Sequence, residues 1–147
     1  MDPLNLPQYN FTIKEELGKK KIFDKIRRKY VVLTPEEWVR QNFVSFLMEQ
    51  LNYPSSLMAI EAKVNINGLS QRADIVVYNT MRKPLLIVEC KAPKVKITQA
   101  VFDQAARYNI KLRTKLLVVT NGLNHYCASI ADDGINYQFL EQIPAYK

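Results

Sequence analysis

Residues 72–93 read RADIVVYNTMRKPLLIVECKAP, two apolar runs joined by a polar loop. Val, Ile and Leu dominate both runs, the composition of strands covered on two faces. The first run opens with Asp74 and the second ends in Glu89-Cys90-Lys91. Removing a charge from water costs several kcal/mol or about that order, so ionisable groups at the ends of buried strands need a reason. Pairing Tyr78 with Leu85 across the loop sets Asp74 directly opposite Glu89. Cross-strand neighbours on one face have Cβ atoms about 4.5–5.5 Å apart, where like charges repel. Lys91 lies two residues beyond Glu89 and shares its face, while Cys90 turns to the other. Two carboxylates held together beside a lysine call for a divalent cation. Oxygen ligands suit Mg²⁺, which polarises a phosphoryl oxygen. Lys91 then orients the attacking water and stabilises developing charge. The backbone carbonyl of Cys90 is a further candidate metal ligand.

Working outward, Thr34-Pro35-Glu36-Glu37 carries an N-cap, a first-turn proline and two acids at the positive end of a dipole. Apolar residues from Trp38 to Leu51 recur at helical spacing as far as about Asn52, and Pro54 follows. Ahead of this helix, residues 11–24 suggest a short hairpin turning at Gly18. Behind it come a strand over 58–66, a turn at Asn67-Gly68, and the two quoted strands over 73–78 and 85–91. Thr98 caps a second helix, residues 98–110, and three further strands follow within 115–122, 125–130 and 135–143. His125, after the Asn121-Gly122 turn, reads as exposed. The expected architecture is α/β: a mixed central sheet flanked by helices in the order α-β-β-β-α-β, with an N-terminal hairpin and a C-terminal β extension. Residues 1–147 form one expected domain, divided into a basic extension (1–33), a catalytic core (34–122) and the β extension (123–147).

The chain has 147 residues and a net charge of +7. Much of the excess is local. Residues 14–29 hold eight basic side chains against Glu15, Glu16 and Asp24. Such a patch attracts a polyanion through counterion release, although a solvated charged face explains moderate charge equally well. Cys90 and Cys127 make neither a disulfide framework nor, with only one histidine available, a zinc site. No stretch approaches the roughly 20 apolar residues of a membrane span, and MDPLNLPQYNF lacks the marks of a signal peptide. A cytoplasmic protein without membrane association is expected.

The segments FDKIRRKYVVLTPEEWVRQ, QRADIVVYN, PLLIVECKAP, DQAARYN and LLVVTNG together resemble the PD-(D/E)xK nuclease superfamily. The likeness is strongest to the N-terminal nuclease domain of type I restriction enzyme R subunits, in its free-standing form, and covers nearly the whole chain. Ala73 stands where the superfamily's name has proline. The resemblance implies Mg²⁺-dependent hydrolysis of DNA to 5′-phosphate and 3′-hydroxyl ends, with Mn²⁺ able to substitute. It gives Asp74 and Glu89 to the metal, Lys91 to catalysis, and Gln104 and Tyr108 to the superfamily's Gln-x-x-x-Tyr signature. In that signature Gln104 holds a water or phosphate oxygen, and Tyr108 supports it or touches the nucleic-acid backbone. It also implies a metal-binding glutamate on the first helix, here Glu37 with Glu36 in reserve. Lys94, Lys96 and Arg40 are candidate phosphate contacts beside the site.

A DNA endonuclease of restriction or repair is therefore expected, with DNA as substrate. No Gly-x-x-x-x-Gly-Lys-Ser/Thr phosphate loop is present, so in a restriction system the motor and specificity come from partner subunits. Two alternatives remain open: a nucleic-acid-binding module that keeps the fold without cutting, and a junction resolvase acting as a homodimer.

Overall fold

The structure, a computed structural model, describes residues 1–66, 68–109 and 112–147, with the side chains of residues 64–66 and 69–71 left aside. The expected turn residue Asn67 and the second helix's last expected residue, Ile110, lie outside the described residues. Nine strands and two α-helices are described: β1 (Ile13–Glu16), β2 (Lys19–Asp24), β3 (Lys29–Val32), α1 (Pro35–Glu49), β4 (Met58–Ile66), β5 (Leu69–Tyr78), β6 (Pro84–Cys90), α2 (Gln99–Asn109), β7 (Leu116–Thr120), β8 (His125–Ile130) and β9 (Tyr137–Leu140). Strands β4 to β9 form one six-stranded sheet in sequence order, and β1 to β3 form a separate sheet. Only β6 and β7 run parallel in the large sheet, with α2 as their crossover. This is the α/β architecture expected, with a helix on each face.

Alternation along the central strands explains the two-sided burial. Ile75, Val77, Leu86 and Val88 pack with Val39, Phe43 and Leu47 of α1. Val76, Ile87, Leu117 and Val119 turn the other way, against Phe102, Ala105 and Ala106 of α2. Period-two alternation thus feeds two separate cores, and each strand reads as apolar throughout. Both helices begin where their caps direct. The Thr34 hydroxyl accepts from the Glu37 amide at 3.0 Å, and the Thr98 hydroxyl from the Val101 amide at 3.2 Å.

Three features differ from expectation. The N-terminal hairpin is a three-stranded sheet, because Asp24 organises a second turn. Its Oδ1 accepts from the amides of Ile26 and Arg27 at 2.8 and 2.9 Å, and Arg28 takes a positive φ of 56° before β3. Tyr78 pairs with Pro84 rather than Leu85, through an irregularity after Val77. The register beyond that point is the expected one, with Val77 opposite Leu86 and Ile75 opposite Val88. His125 is half-buried rather than exposed, its ring bonded to Thr120 Oγ at 2.7 Å and the Asn5 carbonyl at 2.9 Å.

Phe43 lies at the centre of the α1 core and is wholly buried. Phe43→Ala should lower stability by about 3–5 kcal/mol through lost burial and an unfilled cavity, measured by urea denaturation.

Candidate active site at the ends of the central strands

Three neighbouring strands each bring a carboxylate to the same level. Continuing the β5–β6 register one step past Ile75 and Val88 sets Asp74 against Glu89. On the other side, the β4–β5 ladder pairs Ile60 with Ile75 and Ala62 with Ala73, so Glu61 faces Asp74. Glu61 has a positive φ of 49° inside its strand. For a residue with a Cβ this conformation costs about 1–2 kcal/mol, and strain of this kind clusters at functional sites.

Asp74 is held firmly. Its Oδ2 accepts from the Cys90 amide at 2.8 Å, and its Oδ1 from Arg40 Nη2 at 3.2 Å. Among the described residues Glu89 has one cationic neighbour, Lys91, with Nζ 3.8 Å from Oε1. Burial pushes the Glu89 carboxyl above its ordinary range; Lys91 opposes the shift, whereas Asp74 and Glu36 add to it. Glu36 is displaced the same way, first by burial and then by Asp74, with Arg40 and Lys91 opposing. Burial and the Asp74 charge act on both carboxyls, and the nearby cations do not fully offset them. Oxygen donors with unspent negative charge are what a hard divalent cation takes. Among the described residues, however, no three His, Cys, Asp or Glu side chains converge into a ready-made metal cage.

The two candidate glutamates on α1 have different surroundings. Glu37 is 6% exposed, and its oxygens accept from Arg40 at 2.6 Å, Arg27 at 3.2 Å and Gln41 at 2.9 Å. Glu36 is more exposed and, among the described residues, pairs only with Arg40, at 3.5 Å. Its charge is felt at both Glu89 and Cys90. Glu36, the reserve choice, therefore has freer oxygens than Glu37.

Arg40 is 4% exposed, too deep for the open phosphate contact expected of it. Its guanidinium touches Glu36, Glu37, Glu61 and Asp74 within 3.5 Å. Arg27 extends the network, bonding Asp24 Oδ2 at 2.6 Å and Glu61 Oε2 at 3.2 Å. Asp24 is buried, which opposes its ionisation, but hydrogen bonds from Arg27, Gln41 and the Ile26 amide outweigh burial and keep its carboxyl below the usual range. Asp24 and Arg27 were not legible as site residues. Their only sequence signal is charge within a basic tract, which a solvated surface would share.

On the α2 side, a cleft of about 230 Å³ is lined by Asp74, Glu89, Arg72 and Tyr108. Tyr108 is 46% exposed and so presents an accessible ring beside the carboxylates. Gln104, one turn earlier, is exposed and is not part of the cleft lining. Lys94 and Lys96 are exposed in the loop after Lys91. That loop is tied down by Asn121, which donates from Nδ2 to the Val95 carbonyl at 2.8 Å. The Cys90 side chain is buried in the α1 core, leaving its backbone at the site.

The family model described as Type I restriction enzyme R protein N terminus matches residues 35–144. The chain belongs to this family. Its fold is also that of a solved fragment described as an HsdR subunit of a type I restriction enzyme from Vibrio vulnificus YJ016, with a TM-score of 0.51 and 20% sequence identity. That likeness covers 77% of this chain and 24% of the other, so this R-protein N-terminal domain spans about a quarter of the structure it matches. No curated protein matches the chain. Strands β1 to β3 precede the family match and β4 to β9 lie within it. Among the described residues of this family member, no helix is long and apolar enough to cross a membrane.

Two isosteric changes separate the acids by role. A carboxyl whose pKa is raised on folding binds more protons in the native state, so stability falls as pH rises through the range just above ordinary carboxylate values. Glu89→Gln should therefore raise the melting temperature by a few degrees at pH 7.5 in EDTA, and the gain should vanish near pH 4. Glu37→Gln should instead destabilise by roughly 3 kcal/mol, since Arg27 and Arg40 lose a buried counter-charge. Calorimetry across that pH range measures both.

Proposed function

We propose that this R-protein N-terminal domain is a divalent-metal-dependent DNA endonuclease of a restriction system. The observation carrying this reading is the Asp74–Glu89 opposition beside Lys91, at a cleft open to solvent. Arg40 and Lys91 answer these charges only in part, since Glu89 and Glu36 keep raised carboxyls beside them. Asp74 and Glu89 would hold Mg²⁺, or Mn²⁺ in its place, with the Cys90 carbonyl as a further donor, while Glu36 lends its charge from α1 and Glu37 braces Arg40. The bound metal would polarise the scissile phosphate and lower the pKa of water.

The chain's own groups have separable tasks. The Cys90 amide and Arg40 hold Asp74 in one orientation, so no reorganisation is needed when substrate arrives. Lys91 keeps its ammonium 3.8 Å from Glu89, where it orients the nucleophile and stabilises charge growing on the phosphoryl oxygens. Tyr108 offers its ring and hydroxyl to the nucleic-acid backbone from across the cleft, and Gln104 reaches substrate from the same helix. Lys94 and Lys96 bind flanking phosphates from a loop that Asn121 holds in place. Hydrolysis would leave 5′-phosphate and 3′-hydroxyl ends, and partner subunits of the restriction system would supply motor and specificity.

Purified protein incubated with plasmid, linear and branched DNA in Mg²⁺ or Mn²⁺ tests this directly. Cleavage should stop with EDTA and fall at least about a hundredfold in Lys91→Ala, the scale of losing one preorganised charge-stabilising group. Cleavage surviving that substitution would overturn the assignment. Metal-dependent DNA binding without cleavage would favour a non-cutting module, and cutting confined to branched DNA by a dimer would favour a junction resolvase.

A further inference from the structure

The β1–β3 sheet precedes the residues matched by the family and carries most of the local positive charge. We propose that the outer face of this sheet is a nucleic-acid-binding wall that leads a phosphodiester backbone to the carboxylate site. What stands at the end of that path rests on the nuclease reading; the binding itself does not.

Register sorts the side chains of the sheet. Ile22 and Asp24 alternate inward and are buried. On the opposite face Lys21 pairs with Lys14 and Val32, and Phe23 with Tyr30. Lys14 Nζ lies 4.1 Å from the centre of the Tyr30 ring, and the Phe23 and Tyr30 rings meet edge-to-face at 5.3 Å. Cations interleaved with aromatic rings suit a nucleic-acid strand: ammoniums take phosphates, and rings take bases or sugars regardless of sequence.

Charge complementarity points the same way. Glu16 pairs with both Lys14 and Lys21, at 3.1 and 3.2 Å, so one carboxylate answers two ammoniums. Among the described residues, Lys19, on the same face as Lys14 and Lys21, forms no ion pair, nor do Lys20 and Lys29 on the other face or Arg28 in the turn. Their charge is available to a polyanion rather than engaged within the fold.

Position completes the case. A groove of about 700 Å³ is lined by Lys21, Tyr30 and Val32 of the sheet together with Pro35, Glu36 and Ala92. Ala92 adjoins Lys91, and Glu36 is the acid whose charge reaches Glu89. The wall is also fixed in place. Arg27, in the β2–β3 turn, bonds Glu37 and Glu61, while Asp24 at the end of β2 accepts from Gln41 at 3.0 Å. A strand seated on the sheet would therefore enter the site at a set angle.

Fluorescence anisotropy of labelled duplex and single-stranded DNA, with the full chain carrying Lys91→Ala to prevent cutting, tests the wall. Lys14→Glu combined with Lys21→Glu should weaken binding about tenfold or more and flatten the dependence of log Kd on log salt. Tyr30→Ala should weaken single-strand binding about fivefold or more. Glu16→Gln should tighten binding about twofold, an outcome that a merely structural role for these residues does not produce. Unchanged affinity in the paired lysine variant, with an unaltered melting temperature, would overturn the proposal. So would equal displacement by an acidic polypeptide of matched charge, which would make the face a protein-docking surface. Loss of binding in the variants of a protein that never cuts would leave the wall standing and remove the nuclease reading. Lys91-dependent cutting with unaltered binding in the lysine variants would do the reverse.

Discussion

The guanidinium of Arg40 is the constraint on which the site depends. It is almost wholly buried and lies within 3.5 Å of carboxylates from α1, β4 and β5. In a low-dielectric setting none of these groups is tolerable alone; together they fix one another. The network is not chiefly a source of stability, since a buried ion cluster often contributes less than an apolar replacement would. Its consequence is geometric. It sets the N-terminal half of α1 against the middle of β4 and β5, and so determines which acids keep free oxygens.

Charge is divided unevenly within that cluster. Glu37 and Asp24 are answered by arginines and by Gln41, and Asp24 keeps a carboxyl below its ordinary range. Glu89 and Glu36 are left with raised carboxyls. The first pair holds the fold in place, while the second pair is left less engaged by the cations around it. The same residue types thus serve opposite ends a few ångströms apart. Distance from arginine, rather than any property of glutamate itself, separates them.

Arg27 carries this logic into the N-terminal sheet. It joins the β2–β3 turn to α1 and β4, so a segment outside the family match is tied directly to the acids of the site. The result is one continuous surface, basic and aromatic at the sheet and acidic at the strand ends. Under the proposed nuclease reading a divalent cation would reconcile the two, because carboxylates without one would repel a polyanion drawn in by the lysines.

The α/β architecture was legible from local pattern: two-sided apolar strands, a Thr-Pro-Glu-Glu helix start and turns at Gly. The Asp74–Glu89 opposition was legible too, because antiparallel register near a short loop is close to a local property. The irregularity at Tyr78 did not disturb it, since the pairs nearer the site kept their register. Tertiary structure alone decided that Arg40 and Gln41 are buried, that Glu37 is engaged where Glu36 is freer, and that Glu61 joins the acids on a strained backbone. It alone decided that residues 29–32 add a third strand to the expected hairpin. The physical reason is range. Strand and helix patterns arise from neighbours within a few positions, whereas a charge's environment is set by whichever charges distant segments bring within a few ångströms of it.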